Sequence, residues 1–156
     1  MMGFSSFAKF AEHLVLLGVE QHLADHEILE VAAKQIETRA KEKIGSYQDA
    51  AGPFEAWQPL AASTVEQREA LGYTPDDPLL RDGTLRDSIE HKVEGREAHI
   101  GSDLDIALWQ ELGTEHIPPR SFLGSSAFEL APKIVREIGV AFSSILAGGG
   151  RKIPIE

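Results

Sequence analysis

One region of this sequence alternates in the manner of a β-strand, and it is short. In SIEHKVE (88–94), Ile89, His91 and Val93 fall on one face and Glu90, Lys92 and Glu94 on the other, the two-residue period of a half-solvated strand. Gly95-Arg96 reads as a turn and EAHIGS (97–102) as a second short run, so the region predicts an antiparallel hairpin. A lone hairpin is marginal in water and leaves exposed edges. The rest of the chain therefore has to supply helices that cover it.

Those helices are visible as three- and four-residue apolar periods. Phe4, Phe7, Phe10, Ala11, Leu14 and Leu17 form one stripe, and Leu29, Ala32, Ala33, Ile36, Ala40 and Ile44 a second. Gly18 weakens or bends the first, Asp25 is a candidate N-cap for the second, and Gly45 a candidate stop. The expectation is two helices, or one bent helix, before residue 46. A third stripe runs through Ala127, Ala131, Ile134, Val135, Ile138, Ala141, Phe142 and Ile145 toward Gly148. Its start has two readings: Ser126 and Glu129 match a capping box, while Pro132 fits a first turn.

Between these lie shorter pieces. GSYQDAAGPFEAW (45–57) predicts a loop, and STVEQREALG (63–72) a short helix capped by Ser63 with Glu66 and closed by Gly72. Asp82-Gly83 reads as a turn, and LDIALWQELG (104–113) as a helix closed by Gly113. HIPPRSFLG (116–124) predicts an extended arm, because Pro118 and Pro119 disfavour helix before them and remove two donors. The predicted fold is α+β: a small antiparallel sheet packed against two long helices, with an extended Pro-containing arm. It reads as one domain over 1–147, comprising helices at 1–45, loop, hairpin and arm at 46–124 and a C-terminal helix at 125–147, then a flexible tail at 148–156.

Charge narrows the function classes. The chain carries a net charge of -10, and residues 46–117 hold 15 acidic against 5 basic side chains. Such a field repels phosphate, so sequence-specific nucleic-acid binding is not expected. The chain has no cysteine, which removes disulfides, thiolate metal sites and cysteine nucleophiles. Lys9, Glu12, His13 and Glu20 interrupt the first apolar stripe, so neither a leader nor a membrane span is expected, and the protein is expected to fold in the cytoplasm that makes it.

Candidate chemistry is sparse. His22 and His26 share a helix face with Glu30, but HLADH lacks the glutamate of a metalloprotease pair. His13, His91 and His116 each follow a glutamate, yet adjacent strand residues face opposite ways, so Glu90 does not orient His91. The serines of RSFLGSSAF sit in no nucleophile motif. Asp76, Asp77, Asp82 and Asp87 lack the spacing of a calcium loop and can pair with Arg81 and Arg86 instead. No catalytic, cofactor-binding or metal-ligating residue is assigned. Two other classes remain open: a small metal-dependent hydrolase built on the histidines and acids, and a dimeric regulatory binding module.

Three blocks stand in a distinctive order: WQPLAASTVEQREALG (57–72), PLLRDGTLRDSI (78–89) and IALWQELGTEHIPPRSFLG (106–124). Trp57, Leu60, Thr64 and Gly72, then Leu80, Arg81, Gly83, Leu85, Arg86 and Ser88, then Ala107, Gln110, Gly113, Ile117, Pro118, Arg120, Phe122, Leu123 and Gly124 carry the likeness. Together they resemble the tailed-phage virion morphogenesis proteins, the tail completion or head-tail joining family. The resemblance covers about half the chain, with Ile106 where an aromatic is common in the family. It implies a structural α+β subunit, not an enzyme, that forms a ring, commonly a hexamer, at the head-tail joint or tail end of the virion. The implied partners are its own copies, the tail tube and the head-completion or connector proteins. On that expectation Arg81, Arg86, Ile117, Pro118, Arg120, Phe122 and Leu123 are candidate interface residues, with Arg120 reaching an acid of the next subunit. The other reading has Ile117, Phe122 and Leu123 closing the subunit's own core.

Overall fold

The computed structural model describes residues 7–146, and side-chain surroundings for 25–144. The fold is α+β, with a two-stranded antiparallel sheet and a long C-terminal helix. The stripe from Phe4 to Leu17 and the tail at 148–156 lie outside the residues whose surroundings are described.

Helix α1 (Phe7–Lys43) is continuous over 37 residues, so the region is one helix and not two, and the cap at Asp25 is corrected. One interior glycine costs a helix only about 1 kcal/mol relative to alanine, and Asp25 spends its carboxylate elsewhere, 2.9 Å from Arg96 in the hairpin turn. Lys41 and Lys43 complement the negative end of the helix dipole. Gly45, at φ 99, ends the helix and donates to Pro78 O at 2.8 Å.

The hairpin forms in the expected register. Strands β1 (Glu90–Glu94) and β2 (Glu97–Gly101) pair from Glu90↔Gly101 to Glu94↔Glu97, and Gly95 takes the left-handed turn position at φ 61. His91 and Val93 face inward and Lys92 and Glu94 outward. Both strands lie against α1, which also carries the C-terminal helix, so α1 is the shared support of the molecule.

Helix α2 (Ala62–Ala70) starts at Ala61 without a side-chain cap, so Ser63 sits inside its first turn rather than capping it. Gly72 ends it as expected, at φ 77, with its N–H on Glu69 O and that of Tyr73 on Arg68 O. A single turn, α3 (Thr84–Asp87), follows the Asp82-Gly83 corner, where Asp82 Oδ1 accepts from Thr84 N at 3.0 Å. Helix α4 (Asp105–Leu112) ends at Gly113, φ 76.

The last helix, α5 (Leu123–Leu146), begins earlier than either sequence reading and contains Pro132. Its cap comes from another helix. Glu111 of α4 accepts from Phe122 N, Leu123 N and Gly124 N at 2.8, 2.9 and 2.8 Å and from Ser121 Oγ at 2.5 Å. A carboxylate there satisfies donors that no helix can pair internally and meets the positive end of its dipole. Polar side chains fasten α5 to α1: Gln35 to Glu137 (3.1 Å), Arg39 to Glu129 (2.9 Å), and the buried Lys43 to Ser125 (2.9 Å) and Glu129 (2.6 Å).

The arm does not project. Thr114 closes a tight loop onto Ile117, and Arg120 N then donates back to Gln110 O at 2.6 Å, so the two prolines fold against α4. No strand pairs with the segment among the described residues. Ala40, Ile44, Trp57, Leu85, Ile89, Ala107 and Phe122 form the buried core, with Leu79, Leu80 and Leu123 against it. All three distinctive blocks therefore meet the end of α1 in one place.

Candidate functional site

The chain spends two arginines on carbonyl oxygens. Arg120 is 4% exposed and donates through Nη2 to Gln58 O (2.9 Å) and Pro59 O (3.3 Å), while its buried Nε has no partner. Arg68 is 9% exposed and donates through Nη1 to Asp77 O (2.6 Å) and Leu80 O (3.3 Å). Neither forms an ion pair among the described residues. Burial lowers the pKa of the Arg120 guanidinium, Tyr47 opposes that shift and the nearby Arg68 adds to it. The two line one open cavity of about 750 Å³ between α2, the 79–85 corner, the start of α4 and the proline loop.

Beside this cavity α4 turns apolar side chains to solvent. Leu108, Trp109 and Leu112 are 59%, 47% and 69% exposed, and Ile106 at the cavity edge continues the strip. The opposite side of the same helix buries Ala107 and supplies Glu111 to the α5 start. Helical spacing explains the division, since 108, 109 and 112 share an arc that 107 and 111 do not.

The expected interface residues separate into three groups. Arg120 and Phe122 face inward, Phe122 fully buried in the core with Leu123 packed on it, so these three are engaged within the subunit. Arg120 does not extend toward solvent, and substituting it tests the fold before it tests docking. Ile117 and Pro118 are half-buried on the cavity wall. Arg81 and Arg86 are exposed, Arg81 on Asp82 and over the Tyr73 ring, Arg86 on Asp87.

A second cluster joins β1 to α1. His91 sits between Glu37 at Nδ1 and Glu30 at Nε2, the latter at 3.0 Å. Lys34 and Lys41 also reach Glu37, at 3.0 and 2.7 Å. The inward position of His91 follows from strand alternation, but its carboxylates lie 61 and 54 positions earlier, two helical turns apart on one face of α1. Only that shared spacing, matched to a strand facing it, would have revealed the pair. His26, His99 and His116 are exposed, and no group of three metal-ligating side chains gathers among the described residues.

Burial works to raise the Glu37 carboxyl, but hydrogen bonds from Lys41, His91 and Lys34 outweigh it and hold the group at about 2 instead of 4.5. Glu129 is lowered in the same way, its burial outweighed by Lys43 and Arg39. A carboxyl depressed by folding stabilises fully above its unfolded pKa and loses that contribution as pH falls toward the folded one. Glu37 alone is expected to make the protein about 2 kcal/mol less stable at pH 3 than at pH 7. Urea melts at both values check this, and in Glu37→Gln the pH difference should shrink by about that amount. An unchanged difference would reject the assignment. No known protein family, no curated protein and no solved structure matches this chain.

Proposed function

We propose that this chain is a structural virion subunit, a ring-forming tail completion or head-tail joining protein of a tailed phage or prophage, acting by assembly and not by catalysis. The observation that carries the reading is the apolar arc of α4. Three large apolar side chains on an eight-residue helix form a surface that a subunit interface would cover. The arc belongs to the third of the distinctive blocks, so the sequence resemblance and the uncovered surface coincide. Ring closure would bring copies of the chain together through unlike faces, leaving the two ring faces for the tail tube and the connector.

Native mass spectrometry across a concentration series, with negative-stain imaging of the same samples, tests this. Closed rings of one copy number are expected, and a monomer at every concentration would reject the homomeric ring. Leu112→Glu is expected to weaken self-association at least tenfold, the loss of ~1.4 kcal/mol or more that a central interface side chain carries. Its own fold should move by less than about 1 kcal/mol, because the side chain is exposed.

A further inference from the structure

The Arg68 and Arg120 cavity is a cationic recess in a strongly acidic chain. Asp82 is the one carboxylate in its lining, and that side chain is engaged by Arg81 and by Thr84 N–H. Arg68 commits only Nη1 to carbonyls, so its remaining donors have no partner among the described residues. Arg68, held by neutral oxygens, has donors to spare, and a planar fork of that kind is matched by a carboxylate, while the buried Arg120 behind it adds the field of a second uncompensated charge. Apolar side chains of Leu60, Leu79, Leu104, Ile117 and Pro118 share the walls with polar ones, among them Gln58, Thr64 and Gln110. An acid entering there meets apolar and polar walls together, which the mixed flanks of a polypeptide segment match and a free inorganic anion does not. The recess is also continuous with the exposed arc of α4 through Ile106, so one partner would cover both.

We infer that this cavity receives an acidic side chain from a second copy of the chain, carried on an apolar segment that lies along α4. The inference rests on the ring reading and names its recognition site. The donor copy has the chemistry required, since residues 46–117 alone hold 15 acidic side chains against 5 basic. Nucleic acid is a poor occupant, because the net charge of -10 opposes a polyphosphate while a single carboxylate is drawn by the local pair.

Thr64 provides the test. It lies on the cavity wall, four residues before Arg68 on α2. A glutamate at that spacing pairs with the arginine one turn later. Thr64→Glu therefore supplies the carboxylate from within and should weaken assembly at least tenfold, with a melting temperature equal to or above that of the parent. Thr64→Gln fills the same space without charge and should stay within threefold of the parent. Both are read by mass photometry and thermal melts of the full chain. Assembly unaffected in Thr64→Glu, or weakened equally in both variants, overturns carboxylate recognition while the ring reading stands. A parent chain that stays monomeric at every concentration overturns the ring reading, and this inference with it.

Discussion

Glu111→Ala is expected to lower stability by about 3 kcal/mol and the melting temperature by roughly 6–12 °C. The carboxylate serves four donors, three of them the backbone N–H groups that open α5, and its removal leaves those groups with no other protein acceptor. Glutamine is not expected to rescue. Each carboxylate oxygen accepts two bonds, so whichever position becomes NH₂ faces two donors. Gly124 belongs to the same arrangement, because a Cβ there would stand 3.1 Å from Glu111 Oε1 and 2.8 Å from the Phe54 ring. Urea denaturation of both variants checks the expectation, and a loss below 1 kcal/mol would show that water replaces the carboxylate.

Phe122→Ala is expected to cost more, about 3–5 kcal/mol, through lost burial and the cavity left behind. The ring is fully buried where α1, Trp57, Leu85 and Ala107 converge, so every distinctive block loses a neighbour at once. Against a typical total of about 5–15 kcal/mol, such a change removes a large share of the stability. Circular dichroism melts decide it. A cost under about 1.5 kcal/mol would mean that the site collapses around the truncation, and that the ring does not anchor the core as its burial suggests. This expectation separates the two readings of the arm, since a docking side chain would affect assembly and leave the isolated subunit stable.

The parts of the fold that were legible are those whose causes are local in sequence. Alternation at 89–93 and the glycine at 95 place the hairpin, and Gly72 and Gly113 end their helices where short-range reasoning puts them. What escaped was decided at a distance. The start of α5 depends on a glutamate 11 to 13 residues upstream on another helix, which no capping motif describes. The Ser126 pattern was a real local signal that lost to it. Gly18 left one helix or two open because its cost can be read from sequence, whereas the continuity of the helix across it cannot.

The candidate site divides along the same line. An apolar arc on α4 is written in the spacing of Leu108, Trp109 and Leu112. The engagement of Arg120 is not, because its backbone acceptors have no residue signature and lie about 60 positions earlier, the nearby Gln110 side chain adding only a long contact at 3.5 Å. An arginine in a proline-rich segment reads as a reaching side chain when its shorter contacts are to main-chain atoms. His91 shows the converse, with its inward direction legible and its carboxylates hidden in a helix more than 50 residues away.

The joint between Lys43 and Ser125 also sets an order in time. Its two sides are 82 residues apart, and a ribosome adding 5–20 residues per second needs about 4–16 s to cover that distance. Through that interval α1 has already been made, but its acceptors on α5 do not yet exist. The ammonium of Lys43 stays in water until then, and its desolvation belongs to the closing step of the fold. A nascent chain halted before residue 125 would therefore keep that ammonium hydrated, and release of the last helix would bury it.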